Sequence, residues 1–279
     1  MWQLTKIELF KIFKKPRTYI AFAAIAAIIF LVQLAFYLDG EKYMSFVMAS
    51  VESSFSLEGN LMNGYFIFFV ILQTLLVHVP LLISLVAGDM IAGEANMGTL
   101  RLLASRPVSR TSIILSKFLA TCIYVLLLLS FMALLGLFGS MLLFGSSDLM
   151  VFKSDKLLLI DRADVWWRYA AAYGFAALSM ITVAALAFLF SVFAENSIGP
   201  IIAAMSVIVV LTILTTMDLP FFNDMKPWLF TNHMLNWKGF FDRPVDKPEV
   251  LKSALFLIGH IVFFVSLSVC IFRKKDILS

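Results

Sequence analysis

Six stretches of the chain exclude charged side chains almost completely: residues 18–38, 64–88, 113–144, 169–193, 198–217 and 251–272. A helix needs about 20 apolar residues to cross the roughly 30 Å hydrocarbon core of a bilayer, and each stretch meets that length. Only 14% of the 279 residues are charged and 61% are hydrophobic, where a soluble domain carries about 25% charge. No single core could hide that much apolar surface from water. The pattern excludes a soluble enzyme, a disordered chain and a nucleic-acid-binding module. It predicts an all-α polytopic membrane protein, one domain over residues 1–279, with six transmembrane helices. The third stretch is too long to stand upright and must tilt or project. The fourth and fifth are separated only by residues 194–197, a tight hairpin, with Gly199-Pro200 opening the next helix.

Charge placement predicts the orientation. Lys6, Lys11, Lys14, Lys15 and Arg17 precede the first span, Arg101, Arg106, Arg110 and Lys117 lie between the second and third, and Arg273, Lys274 and Lys275 follow the sixth. These cationic patches abut span ends, where basic residues mark the cytoplasmic side. Both termini are therefore expected in the cytoplasm. The first apolar run is too long for a secretory signal, and Leu38-Asp39-Gly40-Glu41 offers no small-residue cleavage site. Cys122 and Cys270 both sit in apolar runs and imply neither a disulfide framework nor a metal pair.

Residues 1–17 form an amphipathic helix, with Trp2, Leu9, Ile12 and Phe13 on one face and Glu8, Lys11, Lys14 and Lys15 on the other. Such a helix lies in the membrane surface with its lysines near anionic head groups. Between the second and third spans, Glu94 is expected to open a short helix at its dipole-positive end. Met97, Leu100 and Ala104 fall on one stripe with Arg101 beside it. Arg106-Pro107 ends that helix, and Ser109 caps the third span. Spacing alone leaves open whether its outer face meets a partner or water.

Residues 93–117 read GE-xxx-GTL-R-LL-x-S-R-P-V-S-R-xx-I-xx-S-K. This run resembles the signature of the type-2 ABC transporter permeases. The likeness extends to six spans, a basic N-terminal helix carrying Glu8, and the ending Phe272-Arg273-Lys274-Lys275-Asp276. The resemblance implies a permease subunit of an exporter in a prokaryotic cell membrane, forming the translocation pathway. Residues 94–104, within a cytoplasmic coupling segment over 89–112, would be the coupling helix that docks on a separate ATPase subunit. The N-terminal helix would be the connecting helix touching the same partner. Glu8, Glu94, Met97, Leu100 and Arg101 are the implied coupling residues, with Glu94 and Arg101 expected to form ion pairs with the partner. By the same resemblance the assembly holds two ATPase chains, which bind ATP and Mg, and a second permease, identical or related.

This chain carries no G-x-x-x-x-G-K-[ST] and no H-E-x-x-H. His78, His233 and His260 are scattered and make no metal set. No cofactor, catalytic residue or nucleic-acid partner is expected of the chain itself. Two other classes stay open: an intramembrane enzyme, which would need His78 to meet an acidic residue, and a subunit that passes an ATPase's motion to an external protein without transporting. His78 lies mid-span, two residues before Pro80. It either lines the pathway or, the blander expectation, bonds a neighbouring helix as a neutral ring. Thr212, Thr215 and Thr216 form a polar stripe on the fifth span, lining the same route or bonding back to their own helix. The aromatic-rich segment over 218–250, with Trp228, Trp237, Phe240 and Phe241, is expected at the outer interface, its tryptophans as belt anchors.

Overall fold

The structure is a computed structural model that describes residues 1–48, 62–99, 108–152, 157–217 and 220–275. The apolar runs become long helices: α1 Trp2–Lys14, α2 Pro16–Met48, α3 Gly64–Ala87, α4 Asp89–Asn96 and α5 Arg110–Ala133. The last continues through a π turn, Leu134–Phe138, into α6 Gly139–Phe144. A two-stranded antiparallel hairpin, β1 Leu149–Phe152 and β2 Leu157–Ile160, precedes α7 Arg162–Phe193 and α8 Ile198–Thr216. After α8 come α9 Pro220–Asn223, α10 Phe230–Met234 and α11 Lys247–Lys274. Among the described residues, five helices are long and apolar enough to cross a membrane. The bent α3 makes a sixth if its arms, Gly64–Leu75 and His78–Ala87, count as one span. The 53° bend between those arms falls just before Pro80, whose ring nitrogen cannot donate to the preceding turn.

The helix α7 is the centre of the bundle: 72% of its apolar window is buried, against 17% for α8. Ala172, Ala184, Ala185 and Ala187 are all buried and let its neighbours approach closely. Two of its buried hydroxyls bond their own helix, Ser179 to Phe175 O at 3.1 Å and Thr182 to Leu178 O at 3.0 Å, and Tyr169 donates to Tyr65 O on α3 at 2.7 Å. The over-long third stretch is a continuous helical run, Arg110–Phe144, widened once by the π turn. There Gly136 lets the Phe68 ring approach to where a Cβ would stand 2.8 Å away. Gln33, buried in α2, donates to Ser140 Oγ at 3.1 Å in the same region.

The helices run between two ends. One gathers α1, α4, the turn between α7 and α8, the start of α5 and the last turn of α11. At that end Arg110 donates to the carbonyls of Arg273 and Lys275, at 3.2 and 2.7 Å, and Lys275 donates to Val192 O at 2.8 Å. With Glu8 of α1 bound to Lys117 of α5, α1 and the last described turn of α11 therefore lie at the same end. The other end holds the β hairpin, the start of α7 and the turns over 226–241. Asn63 caps α3 there, and its amide also donates to Ser147 Oγ and Asp148 O, both at 2.8 Å. Arg168 fastens the aromatic segment by donating to Phe240 O and Asp242 O at 2.7 and 2.8 Å.

That segment corrects the expectation of a uniform aromatic belt. Trp237 and Phe241 are buried, 5.8 and 5.1 Å from the Phe69 ring between centroids, and so plug the bundle. Trp166, Trp167 and Trp228 are exposed, as anchors would be. A three-residue 3-10 turn, Lys226–Trp228, and a seven-residue one, Leu235–Phe241, turn the chain sharply enough to put some rings in and others out. The hairpin of β1 and β2 is a further element that periodicity had not indicated.

Candidate functional site

Four charged side chains close a ring at the end that carries the termini. Lys117 Nζ on α5 lies 2.8 Å from Glu8 Oε2 on α1 and 2.8 Å from Glu94 Oε1 on α4. Lys11 Nζ on α1 lies 2.8 Å from Glu8 Oε1 and 2.8 Å from the same Glu94 oxygen. The relative exposure of Glu8 and Glu94 is 5% each, and that of Lys117 is 1%. Two anions and two cations cancel, which is how charges persist so deep in a protein. Burial pushes the Glu8 carboxyl up, but Lys117 and the hydrogen bonds from Lys11 and Lys117 outweigh it and hold the group below its ordinary range. The Lys11 ammonium is pushed down by burial, yet its bonds to Glu8 and Glu94 leave it raised overall. The second Glu94 oxygen, Oε2, is buried with no hydrogen-bond partner among the described residues.

A second cluster surrounds Asp89, which is buried at the start of α4. Its carboxylate pairs with Lys15 Nζ at 2.5 Å and Arg17 Nη1 at 2.7 Å, and accepts from the Ser197 hydroxyl in the α7–α8 turn. The side chain of Ser191 on α7 accepts from the Ile91 and Ala92 amides of α4, at 3.0 and 2.9 Å, so it satisfies two early helix donors from outside the helix. Gly93 is required by its neighbour: a Cβ there would run into the Asp89 carboxylate. Together these contacts make α1, α4, the start of α5 and the α7–α8 turn one rigid piece. A groove of about 460 Å³ runs beside the ring, bordered by Ile7 and Phe10 of α1 and by Met97, Thr99 and Val108.

Several expectations change here. The helix holding Glu94 begins at Asp89, so Glu94 stands near its end rather than opening it. Glu94 is committed to lysines of its own chain through Oε1. Leu100 and Arg101 lie outside the described residues, as does the stretch expected as the coupling helix from residue 100 on. Met97 follows α4 and is 60% exposed. On α1, Glu8 belongs to the inner face with Thr5 and Ile12, whereas Trp2, Ile7 and Phe10 are exposed. A helical-wheel division by polarity misplaced Glu8 because its partners come from α4 and α5, which no local pattern encodes.

The intramembrane candidates are peripheral. His78 is exposed, and its Nδ1 lies 2.9 Å from the Thr74 carbonyl of its own helix, not against a neighbouring helix. Among the described residues no carboxylate forms an ion pair with it. Thr215 and Thr216 donate to Thr212 O and Ile213 O at 2.7 and 2.9 Å, bonding back to α8. Thr212 and Thr216 are exposed on that helix. Sequence reasoning missed Lys117 as the keystone and Asp89 as the second hub. The signal available was that Asp89 directly follows the apolar run 64–88 and Lys117 lies inside the run 113–144.

Residues 17–278 match the family described as "Protein of unknown function (DUF2705)". The chain is also 25% identical over 201 residues to "Uncharacterized protein YhcI" of Bacillus subtilis (strain 168), covering 69% of this chain and 63% of that protein. It thus spans slightly less than two thirds of the length of that relative. With the match extending over nearly all its length, from Arg17 in the Asp89 cluster to the last helix, the chain belongs to the DUF2705 family.

Proposed function

We propose that this chain is the permease subunit of an ATP-driven exporter in a prokaryotic cell membrane. It has six spans, α3 being the bent one, and the end holding both termini faces the cytoplasm. A separate ATPase subunit, present in two copies with its ATP and Mg, docks on the exposed surface around Met97 and the outer face of α1. A second permease copy or a related permease completes the pathway.

The observation that carries this reading is the charge ring joining Glu8, Lys11, Glu94 and Lys117. ATP-driven closure of a partner acts on a permease only through a contact that does not yield. The ring ties the segment after α4 to α1 and, through Lys117, to the base of α5. A push near Met97 therefore moves these helices as a body, the kind of rigid-body step that opens one end of a bundle while closing the other. The exposed faces of α8 and of α3 around His78 border the route between the two copies. The motif over 93–117 supports the same reading by resemblance.

The test is purification of the tagged full-length chain from its native membrane. A co-purifying ATPase that Met97→Glu releases, while the variant keeps its melting temperature, supports the proposal. Its absence under mild detergent, or vesicles of the reconstituted complex that hydrolyse ATP without moving any cargo, would remove the exporter reading.

A further inference from the structure

An apolar groove of about 710 Å³ lies between α8 and α11, at the end away from the termini. Its roof is Trp228, Leu229 and Phe230, and its floor includes Leu255, Phe256 and Phe263 of α11. What holds the roof to α11 is a small polar knot. The His233 Nε2 lies 2.8 Å from the Pro227 carbonyl, which only accepts, so this nitrogen carries the ring proton. Its Nδ1, 2.9 Å from Ser253 Oγ, is then the acceptor for the serine hydroxyl. The Asn236 amide donates to the same oxygen, and the ring stacks on Phe256 at 4.6 Å between centroids. His233 and Ser253 have relative exposures of 1% and 0%.

We propose that His233 is a pH-sensitive latch that keeps the roof closed only while its ring is neutral. A second ring proton would turn Nδ1 into a donor aimed at an oxygen that Asn236 already donates to, and would strip the serine proton of its acceptor. It would also bury a cation without a counter-ion, which is costly. The elements packed on α10 supply no relief. On α11, Glu249 accepts from Asn236 of the knot at 3.5 Å and pairs with Lys252 at 3.8 Å, with no bond to the ring itself, and His260 bonds its own helix at Phe256 O. The adjoining turns carry only the cations Lys226 and Lys238. On α7, Asp164 is held by Arg168 at 2.8 Å, and α8 has no titratable side chain. Among the described residues no carboxylate pairs with the ring. Acidification that adds the second ring proton therefore favours the open roof, where water and the head-group region stabilise the charge.

Thr231, on α10 two residues before His233, is a reporter: it is buried, and among the described residues its hydroxyl has no hydrogen-bond partner, so Thr231→Cys removes no bond seen there. In the full chain with Cys122→Ala and Cys270→Ala, held in lipid nanodiscs, the modification rate of Thr231→Cys by a methanethiosulfonate reagent is measured from pH 8 to 5. Each rate is divided by that of the exposed position Lys247→Cys at the same pH. The expected ratio is flat at high pH and rises by up to about tenfold per unit as the pH falls. His233→Gln, which keeps a donor and an acceptor but cannot titrate, removes the rise. Ser253→Ala, which takes away the bond to the neutral ring, raises the ratio already at high pH and shrinks the further rise on acidification. A flat profile for the unaltered latch, an equal rise in His233→Gln, or a high-pH ratio that Ser253→Ala leaves unchanged overturns the proposal.

Discussion

Lys117 on the third long helix and Glu8 on the N-terminal helix are separated by 109 residues and meet at 2.8 Å, both almost wholly removed from solvent. This contact fixes α1 against the bundle. Without it, the N-terminal helix would be held by the Lys11–Glu94 pair, by Ile12 and the half-buried Leu9 and Phe13, and by the bonds around Asp89. Its two charges are tolerated because each has a second partner, Lys11 for Glu8 and Glu94 for Lys117.

Removing one member of such a set is worse than removing both. Lys117→Met keeps the volume but leaves two carboxylates facing one lysine, and is expected to destabilise by about 3–5 kcal/mol. Combining it with Glu8→Gln should recover part of that loss. Thermal or denaturant unfolding of the two single variants and the double variant measures the coupling; additive losses would mean that the contact contributes nothing of its own.

The ring also sets a pH dependence. Glu8 ionises more readily in the folded protein than its ordinary value of 4.5 allows. Its stabilisation is therefore complete above that value and is lost as pH falls below 4.5, through the lower folded range. Lys11 is raised above its ordinary 10.5, so its contribution is complete below that value and is lost only as pH rises beyond it. The ring's own contribution should be flat between these limits and fall on the acid side, and Glu8→Gln should shrink the acid fall in melting temperature.

At Gly93 the constraint is steric. An added methyl would occupy space held by the Asp89 carboxylate, so Gly93→Ala must displace either that group or the helix. The expected cost is about 1–3 kcal/mol. Because Asp89 is what Lys15 and Arg17 bind, Asp89→Ala should make Gly93→Ala nearly silent in the double variant. Unfolding measurements on the pair test this directly.

Ser191→Ala would orphan the Ile91 and Ala92 amides, both buried, at about 1–3 kcal/mol. Hydrogen exchange at those two amides should quicken while the remainder of α7 keeps its protection.

His78→Phe should change the melting temperature little, within about 0.5 kcal/mol, since the ring is exposed and bonded only to its own helix. A fall in ATPase activity of the assembled complex without a fall in stability would place His78 on the transport route.

Sequence by itself determined the solvent and the element plan. Charge excluded from runs of membrane length is a local property, so the spans, the hairpin at residues 194–197 and the break at Pro80 were legible from residues 18 to 272. The amphipathic N-terminal helix was legible too, but not its orientation. Only tertiary structure decided that Glu8 faces inward, that Glu94 is bound by lysines of its own chain, and that Trp237 fills the bundle while Trp228 stays outside it. Those outcomes depend on partners far away in the sequence, 109 residues for Glu8 and Lys117 and 83 for Lys11 and Glu94. A buried charge is stable only where distant chain brings its counter-charge to within hydrogen-bonding distance, and helical periodicity carries no information about that meeting.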